Sequence, residues 1–376
     1  MEIKMNFILT CGGTAGHINP ALAVAGRLRE LMPDCGILFL GAEGKMEMEL
    51  VPREGYDILP LKITNISRGK SLSAIAHNIE TLKNVNVSTK AAKKIIADFK
   101  PDAVIGTGGY VCYPVLKAAS SMGIPTAIHE SNAVPGLTTK LLSGHVDRVM
   151  VGFEESRDAY GAVGSVTVTG TPVRGAFAGY SKSRAKAELG LDPEKPLVLS
   201  VWGSLGAGHM NDIVAQMLPL MQGQQDFYFI HSAGKHYYEG LMERLGSSEQ
   251  LKNSCGADIR EYIYDMPRVM AAADLILCRA GASTISELTF LGKPTVFVPS
   301  PNVTNNHQEK NARVLEKAGG AKVLLEGEFD AQSLLSTVKE LLNDSAALES
   351  MSAAMSSLAV RDATDRICGV ILDMLK

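Results

Sequence analysis

The sequence lacks several features that would place it in a common functional class. Its six cysteines include no CxxC pair, which argues against a zinc site and a disulfide framework. No two aspartates are two residues apart, so an Asp-x-Asp metal pair is missing. No stretch approaches the roughly 18–20 apolar residues of a membrane span, and no basic segment with a long apolar run opens the chain, so no signal peptide is expected. These absences predict a protein of a reducing cytoplasm that is not integral to a membrane.

Composition and charge are those of an ordinary globular protein with one unusual segment. With 376 residues, 46% of them hydrophobic, the chain is long enough for two domains, each with its own core. The net charge of −3 discourages nucleic-acid binding. Residues 62–100 are an exception, because they carry eight basic side chains and only two acids, Glu80 and Asp98.

Short apolar runs alternate with helical patterns along the whole chain. The first half contains NFILT, GILFL, DAVIG, PTAIH, RVMVG and SVTVTG, and the second half starts the scheme again at PLVLSVWG. This alternation predicts two α/β domains with parallel sheets. The predicted boundaries are 1–165, 166–345 and a C-terminal helix over 346–376 that crosses back to brace the first domain.

The stretch CGGTAGHINPALAVAGRL, residues 11–28, reads as the end of a strand, a glycine turn and a helix with Pro20 in its first turn. Such a turn commonly directs helix N–H groups at an anion. The glycines are spaced GGxxG rather than GxGxxG, and the next strand contains Gly41 where a dinucleotide fold would have an acid. An NAD-dependent dehydrogenase is therefore disfavoured.

A second strand, turn and helix occurs at CRAGASTISEL, where Ser283 and Thr284 start the predicted helix. This is a second candidate anion cradle. Glu287 follows at a spacing that resembles a capping box, in which it would bond backbone N–H groups at the helix start. It could equally accept two hydrogen bonds from a ribose diol, and the spacing alone leaves both interpretations open.

The ordered motifs GGTAGH, GGYVCYP, HESN with PG, GTPVR, GSLGA, YIYDM, CRAGASTISE and NNHQEKNA together resemble the MurG family. The resemblance covers nearly the whole chain. It implies a GT-B fold, with two Rossmann-like parallel-sheet domains facing across a cleft. The N-terminal domain would face acceptor and membrane, and the C-terminal domain would bind UDP-GlcNAc.

The activity that the resemblance implies is transfer of GlcNAc from UDP-GlcNAc to undecaprenyl-pyrophosphoryl-MurNAc-pentapeptide (lipid I), which forms lipid II in peptidoglycan synthesis. No cofactor is implied. The expected partners are UDP-GlcNAc, lipid I, the anionic cytoplasmic membrane surface and a cell-wall synthesis complex, without nucleic acid. A UDP-GlcNAc 2-epimerase and another lipid glycosyltransferase of the same fold remain as alternatives.

The resemblance also assigns donor-site residues. Thr14, Ala15, Gly16 and Asn132 would lie near the donor phosphates and sugar. The other positions expected to bind UDP-GlcNAc are Arg174, Ser204, Ile263, Ala282, Ser283, Thr284, Ile285, Ser286, Glu287 and Gln308. The chain departs from the family pattern at Ala15, Ser131 and His307, where family members often carry Gly, Gln and Gln respectively.

Transfer from an α-linked donor to a β linkage inverts the anomeric carbon, so one in-line displacement suffices. The acceptor hydroxyl then needs a general base. His17 is the leading candidate and Glu130 its competitor, although His17 could instead only contact a ligand or the loop. The helix start at Ser283–Thr284, with Arg174 as a further cation, could stabilise the leaving diphosphate, so no obligatory metal is predicted.

The basic segment suggests how the protein reaches a lipid acceptor. Leu72, Ile75 and Ile79 fall on one face of a predicted helix, and Lys70 and Lys83 flank them. An apolar stripe with basic flanks is typical of contact with anionic lipid. The alternative is that the stripe packs on the domain core, as most amphipathic helices do.

Overall fold

The computed structural model describes residues 4–64, 72–161, 166–303 and 306–376. The chain divides into two units. Unit 1 consists of Met1–Gly175 together with Val360–Lys376, and unit 2 of Ala176–Ala359.

Unit 1 contains a parallel sheet of seven described strands. Their order across the sheet is β3-β2-β1-β4-β5-β6-β7, so the direction of winding reverses between β1 and β4. In open parallel sheets ligands bind outside the carboxyl ends of the strands at such a reversal. The strands are β1 (Asn6–Thr10), β2 (Gly36–Ala42), β3 (Asp57–Leu61), β4 (Ala103–Gly106), β5 (Thr126–Glu130), β6 (Arg148–Val151) and β7 (Val166–Val168).

Helices cover both faces of this sheet because its strands are apolar on both sides. Phe7 and Leu9 of β1 pack in one buried cluster with residues of the first and last helices, whereas Ile8 belongs to a second cluster on the opposite face. The helices of unit 1 are α1 (Ala15–Leu31), α2 (Glu47–Arg53), α3 (Leu72–Phe99), α4 (Cys112–Ser121), α5 (Leu137–Leu142) and, at the end of the chain, α15 (Ala363–Asp373).

Unit 2 repeats the architecture with six described parallel strands in the order β10-β9-β8-β11-β12-β13. The winding reverses between β8 and β11. The strands are β8 (Leu197–Val201), β9 (Tyr228–Ser232), β10 (Ala257–Arg260), β11 (Leu275–Cys278), β12 (Thr295–Phe297) and β13 (Ala321–Val323). The helices are α6 (Lys182–Glu188), α7 (Gly208–Leu220), α8 (Tyr238–Leu245), α9 (Ser248–Cys255), α10 (Met266–Ala272), α11 (Ala282–Leu291), α12 (His307–Lys317), α13 (Ala331–Asn343) and α14 (Ser345–Ser357).

The units divide at different residues from those predicted. β7 pairs with β6, so the first sheet extends past residue 165, and unit 1 continues to Gly175. At the other end, α14 packs on α11 and α13 within unit 2. The chain returns to unit 1 only at Val360, where α15 buries Ile367 and Ile371 in the cluster that contains α1.

The helix after the first glycine turn begins earlier than Pro20 suggested. Thr14 is its extended N-cap residue, and Pro20 lies inside the helix instead of in the first turn. The local reason is that His17 and Ile18 already donate their N–H groups to the Thr14 carbonyl oxygen. Gly16 and His17 therefore belong to the first turn of α1.

Candidate functional site

The first group of predicted site residues lies at the reversal point of unit 1. The loop between β4 and α4 forms hydrogen bonds with the glycine turn and with the first turn of α1. The Thr107 hydroxyl donates to the His17 carbonyl oxygen at 2.7 Å, and the Gly12 N–H donates to the Gly108 carbonyl oxygen at 3.2 Å. His17 is thereby held where the carboxyl ends of β1 and β4 meet.

The His17 imidazole packs directly against the backbone of Gly108. A Cβ atom at position 108 would lie 2.3 Å from His17 Nδ1, and the Gly108 φ of +111° is also one that other residues rarely adopt. Only glycine allows the ring to approach this closely. The GTGG stretch after β4 therefore shapes the pocket of the histidine.

Burial lowers the pKa of the His17 imidazole below its ordinary value. The Glu130 carboxylate, the hydrogen bond at Thr107 and the Glu47 carboxylate oppose this effect but do not outweigh it. The ring is therefore neutral at neutral pH. A neutral imidazole is the form that can accept a proton.

The Glu130 carboxylate is occupied by four hydrogen bonds inside its own loop. Oε1 accepts from the Asn132 backbone N–H at 3.0 Å and from its side-chain amide at 2.8 Å. Oε2 accepts from the Gly136 N–H and the Thr139 hydroxyl, both at 2.8 Å. Glu130 is 3% exposed. These contacts explain the HESN-PG pattern as a loop folded around one carboxylate.

Three other predicted or neighbouring residues also have partners within unit 1. The fully buried His129 lies 2.9 Å through Nε2 from the Gly170 carbonyl oxygen, and burial lowers the pKa of its ring. The Ser131 hydroxyl lies 3.3 Å from His129 Nδ1. Arg174 forms an ion pair with Glu54 at 2.7 Å. The structure thus brings Thr14, Ala15, Gly16, His17, Glu130 and Asn132 to one edge of the sheet of unit 1.

The second group lies at the reversal point of unit 2, at the start of α11. This helix begins at Ala282 with Gly281 as its N-cap residue, and its first N–H groups have no partner within a helix by geometry. Ser283 and Glu287 are 8% and 6% exposed. Ser283, Thr284 and Glu287 share one face, since residues three and four apart are helix neighbours.

The capping-box interpretation of Glu287 is wrong. The third helical position, from which a capping-box acid reaches back to the N-cap, is occupied by Thr284. Glu287 lies three residues further along and cannot reach the N-cap backbone. A capping box therefore does not explain the burial of Glu287, and the diol interpretation stays a prediction.

Arg279 holds the loop that precedes α11. Its Nη1 donates to the carbonyl oxygens of Val298 and Pro299 at 3.0 and 3.2 Å and forms an ion pair with Glu326. These contacts tie the carboxyl end of β11 to that of β12. Among the remaining predicted residues, Ile263 is buried, Ser204 lies in the loop after β8, and Gln308 Oε1 accepts from the Ser300 N–H at 2.9 Å.

A buried histidine fixes the helix that follows the GSLGA loop. His231 on β9 is fully buried. Its Nε2 lies 3.0 Å from Asn211 Oδ1, so Nε2 carries the proton, and its Nδ1 lies 2.9 Å from the Ser200 hydroxyl. The Asn211 amide in turn donates to the Ala233 carbonyl oxygen. Burial lowers the pKa of His231 to about 3.

This network should make unit 2 less stable in acid. The unfolded chain binds a proton at His231 from about pH 6.5 downward, whereas the folded chain does not do so until about pH 3. Stability from this group is complete above pH 6.5 and is lost as the pH falls. Between pH 7 and pH 5 we expect the free energy of unfolding to fall by about 2 kcal/mol through His231 alone.

Urea unfolding at the two pH values tests this expectation, with fluorescence of Trp202, the single tryptophan and a residue of unit 2. His231→Gln should lose this part of the pH dependence because its amide does not titrate. His209→Gln, at an exposed position of α7, is the matched control. An equal pH dependence in parent and His231→Gln would contradict the assignment.

The predicted membrane residues fall outside what the structure describes. Lys70 lies in the gap between residues 64 and 72, and the side chains of Leu72, Ile75, Ile79 and Lys83 on α3 are likewise outside the described set. No described helix has the length and hydropathy needed to cross a bilayer. Within the same described residues, no cluster of three or more His, Cys, Asp or Glu side chains suits a metal ion.

Sequence reasoning missed Glu47, Thr107 and Arg279. Glu47 accepts hydrogen bonds from the N–H groups of Gly13 and Ala42 and so joins the loop after β1 to the end of β2 at the sheet edge. Its surroundings, KMEMELVP, contain no spacing that separates it from a surface acid. The one signal was the glycine pair in GTGG, which is compatible with a side chain packed closely on the backbone after β4 but does not identify that side chain.

Two family patterns cover most of the chain. The glycosyltransferase family 28 N-terminal domain matches residues 7–151, and the glycosyltransferase family 28 C-terminal domain matches residues 197–367. The first lies within unit 1. The second spans most of unit 2 and reaches into α15.

Comparison with individual proteins agrees with the family matches. The UDP-N-acetylglucosamine–N-acetylmuramyl-(pentapeptide) pyrophosphoryl-undecaprenol N-acetylglucosamine transferase of Acetivibrio thermocellus is 42% identical over 99% of both chains. The crystal structure of Acinetobacter baumannii MurG aligns with a TM-score of 0.69 at 26% identity, over 99% of this chain and 100% of that one.

A UDP-GlcNAc 2-epimerase from Neisseria meningitidis also aligns, with a TM-score of 0.65 over 98% of this chain and 100% of that one, but at 16% identity. That likeness concerns the fold alone, and the epimerase alternative is not favoured. The family assignment rests on three findings: two parallel α/β units of the GT-B type, matches to both family 28 domains, and a relative at 42% identity over the full length. The chain belongs to the MurG family of N-acetylglucosaminyltransferases.

Proposed function

We propose that this protein transfers GlcNAc from UDP-GlcNAc to the C4 hydroxyl of MurNAc in lipid I, forming lipid II. The observation that carries the proposal is the 42% identity over 99% of the chain to a transferase named for this reaction. In the reaction the acceptor oxygen bonds to the anomeric carbon while the bond from that carbon to the β-phosphate oxygen breaks. UDP leaves with the electron pair, and a base takes the acceptor proton.

His17 is the base in this proposal. It is neutral because burial lowers its pKa, and it lies in the first turn of α1 at the reversal point of the sheet. The competing Glu130 carboxylate already accepts four hydrogen bonds, which would have to rearrange before it could take a proton. The geometry therefore favours His17, with Glu130 as the residue that shapes the neighbouring loop.

Unit 2 holds the donor in this proposal. The first turn of α11, with Ser283 and Thr284, directs N–H groups and the positive end of the helix dipole at the diphosphate, and Glu287 accepts the ribose hydroxyls. Ser204, Ile263 and Gln308 line the nucleotide and sugar. On unit 1, Gly13 already donates to Glu47, which favours an acceptor role for the first glycine loop over phosphate binding.

Transfer of radiolabelled GlcNAc to a lipid I analogue tests the proposal. We expect label in the lipid product only when both substrates are present. A parallel incubation with UDP-GlcNAc alone separates the epimerase alternative, which would release epimer or free sugar. Label that fails to appear in the lipid fraction of the folded protein would contradict the proposal.

We further propose that one face of unit 1 contacts the anionic membrane surface that holds lipid I. The described part of α3 exposes Val87, Lys90, Lys93 and Lys94. α4 packs between α3 and α5, and α5 exposes Leu137, Lys140 and Leu141. Apolar side chains interspersed with lysines suit a lipid interface, where each basic residue near the surface contributes about 1 kcal/mol.

Replacing Lys70, Lys83, Lys93 and Lys94 with Ser should reduce binding to vesicles that contain anionic lipid and leave UDP affinity unchanged. Vesicle sedimentation at low and physiological salt is the measurement, because salt screens the attraction. A variant with Ser at the exposed Lys4, Lys252, Lys317 and Lys376 removes the same charge outside this segment. If both variants sediment like the parent, residues 70–94 do not form the membrane contact.

A further inference from the structure

Glu47 is a fully buried carboxylate that joins the loop after β1 to the end of β2. Oε1 accepts the Ala42 N–H at 2.9 Å and Oε2 accepts the Gly13 N–H at 3.1 Å. The fit is tight, since a Cβ atom at Gly12 would lie 2.5 Å from Glu47 Oε1. The carboxylate therefore determines the path of the Gly12–Gly13 turn. This turn leads directly into the first turn of α1, which contains His17.

No ion pair with an N···O distance of 4.0 Å or less includes Glu47 in the part of the chain that the structure describes. A buried anion that is held by neutral donors costs free energy of desolvation. Its field acts on the pocket: it opposes the lowering of the pKa of His17 and helps to raise the pKa of Tyr110. Both effects are those of a negative charge near the edge of the sheet at which His17 lies.

We propose that Glu47 is a positioning residue for glycosyl transfer, which fixes the Gly12–Gly13 turn and stabilises the positive charge that His17 acquires. This inference rests on the proposed function with His17 as the base. When the acceptor oxygen bonds to the anomeric carbon, its proton moves to His17 and UDP leaves with the electron pair. The imidazolium so formed interacts electrostatically with a fixed buried anion, which lowers the free energy of the charged state.

The groups that face His17 are few enough for a clean experiment. Glu130 approaches from β5, Glu47 from α2, and Thr107 bonds from the loop after β4. His17 in turn helps to lower the pKa of the neighbouring His129. Substitutions at Glu47 keep these three residues, and Glu47→Asp, which keeps the charge, controls for movement of the loop, so a change in the titration of His17 in Glu47→Gln alone reports the Glu47 charge.

Two substitutions separate the charge of Glu47 from its geometry. Glu47→Gln removes the charge and leaves one amide oxygen for the two N–H groups, whereas Glu47→Asp keeps the charge but is one methylene too short to hold both N–H groups. The control is Glu49→Gln, the same change at a partly exposed acid of α2 that pairs with Arg53. The measurements are kcat, the pH profile of kcat/KM, UDP-GlcNAc affinity and thermal unfolding.

We expect kcat of Glu47→Gln to fall roughly tenfold to hundredfold, with UDP-GlcNAc affinity retained. The profile of kcat/KM rises with pH as the base loses its proton. Because the Glu47 charge raises the pKa of His17, its removal should move this acidic limb to lower pH. Glu47→Asp should lose kcat without moving the limb, and Glu49→Gln should match the parent in both.

If the Glu47 carboxylate had a merely structural role, Glu47→Gln would lower the thermal stability without moving the acidic limb of the kcat/KM profile. A folded Glu47→Gln variant with kcat within twofold of the parent, or with an unmoved limb, overturns the inference. If this variant does not fold, Glu47→Asp decides, and kcat within twofold of the parent is the contradicting result. If the parent transfers no sugar, the proposed function fails. NMR titration of His17 in parent and Glu47→Gln then still tests the coupling, and an unchanged titration overturns it.

Discussion

His17→Ala should lower kcat by 10²–10⁴-fold, the range typical of a lost general base. UDP-GlcNAc affinity should change little, because in the proposed mechanism the imidazole acts on the acceptor proton. The structure supports this expectation with a neutral ring that is held at the sheet edge by the Thr107 hydroxyl and the backbone of Gly108. The measurement is turnover at saturating donor and acceptor, with donor binding determined separately on the same folded variant.

The control is His145→Ala, which removes an exposed imidazole from the same unit and should behave like the parent. If His17 only contacts a ligand, substrate affinity should fall while kcat is largely kept. Retention of kcat within a few-fold would move the assignment to Glu130, which Glu130→Gln would then test. That second variant must be checked for folding, since four donors depend on the Glu130 carboxylate.

Glu287→Ala should weaken UDP binding by about 1.5–3 kcal/mol, the value of hydrogen bonds to a charged group. Helix capping can no longer account for this side chain, because α11 begins at Ala282 and Thr284 occupies the capping-box position. A carboxylate that is 6% exposed near the start of that helix has the position and chemistry to accept a ribose diol. Calorimetric titration with UDP is the measurement.

Two further variants sharpen the Glu287 experiment. Glu287→Gln keeps an acceptor oxygen but loses the charge, so its UDP affinity should lie between those of the parent and Glu287→Ala. Glu243→Ala removes an exposed acid from α8 of the same unit and should bind UDP like the parent. Unchanged UDP affinity in a folded Glu287→Ala variant would show that Glu287 does not contact the nucleotide.

The buried carboxylates of unit 1 share one physical design. Glu47 and Glu130 each accept backbone N–H groups from glycines, Gly13 and Gly136 respectively. Each folds a loop at the carboxyl edge of the sheet around a negative charge, and each charge opposes the lowering of the pKa of His17. Loop architecture and the electrostatics of the proposed base are therefore not independent in this protein.

The sequence by itself determined the fold class and most of the strands. Apolar runs such as NFILT and DAVIG became β1 and β4, because buried parallel strands are apolar on both faces and leave a local pattern. It did not reveal β3 or β10. Both are edge strands, and their sequences DILPL and ADIR carry polar residues or proline that an edge tolerates.

The family assignment was likewise available from the sequence, since it depends on ordered motifs along the chain. Tertiary structure alone decided which distant residues meet. Glu47 bonds to Gly13 across 34 residues of chain, and Thr107 to His17 across 90. The return of α15 to the cluster around α1 joins the two ends of the chain. Such contacts depend on strand order and register, which bring distant segments to one edge and leave no periodicity in the sequence between them.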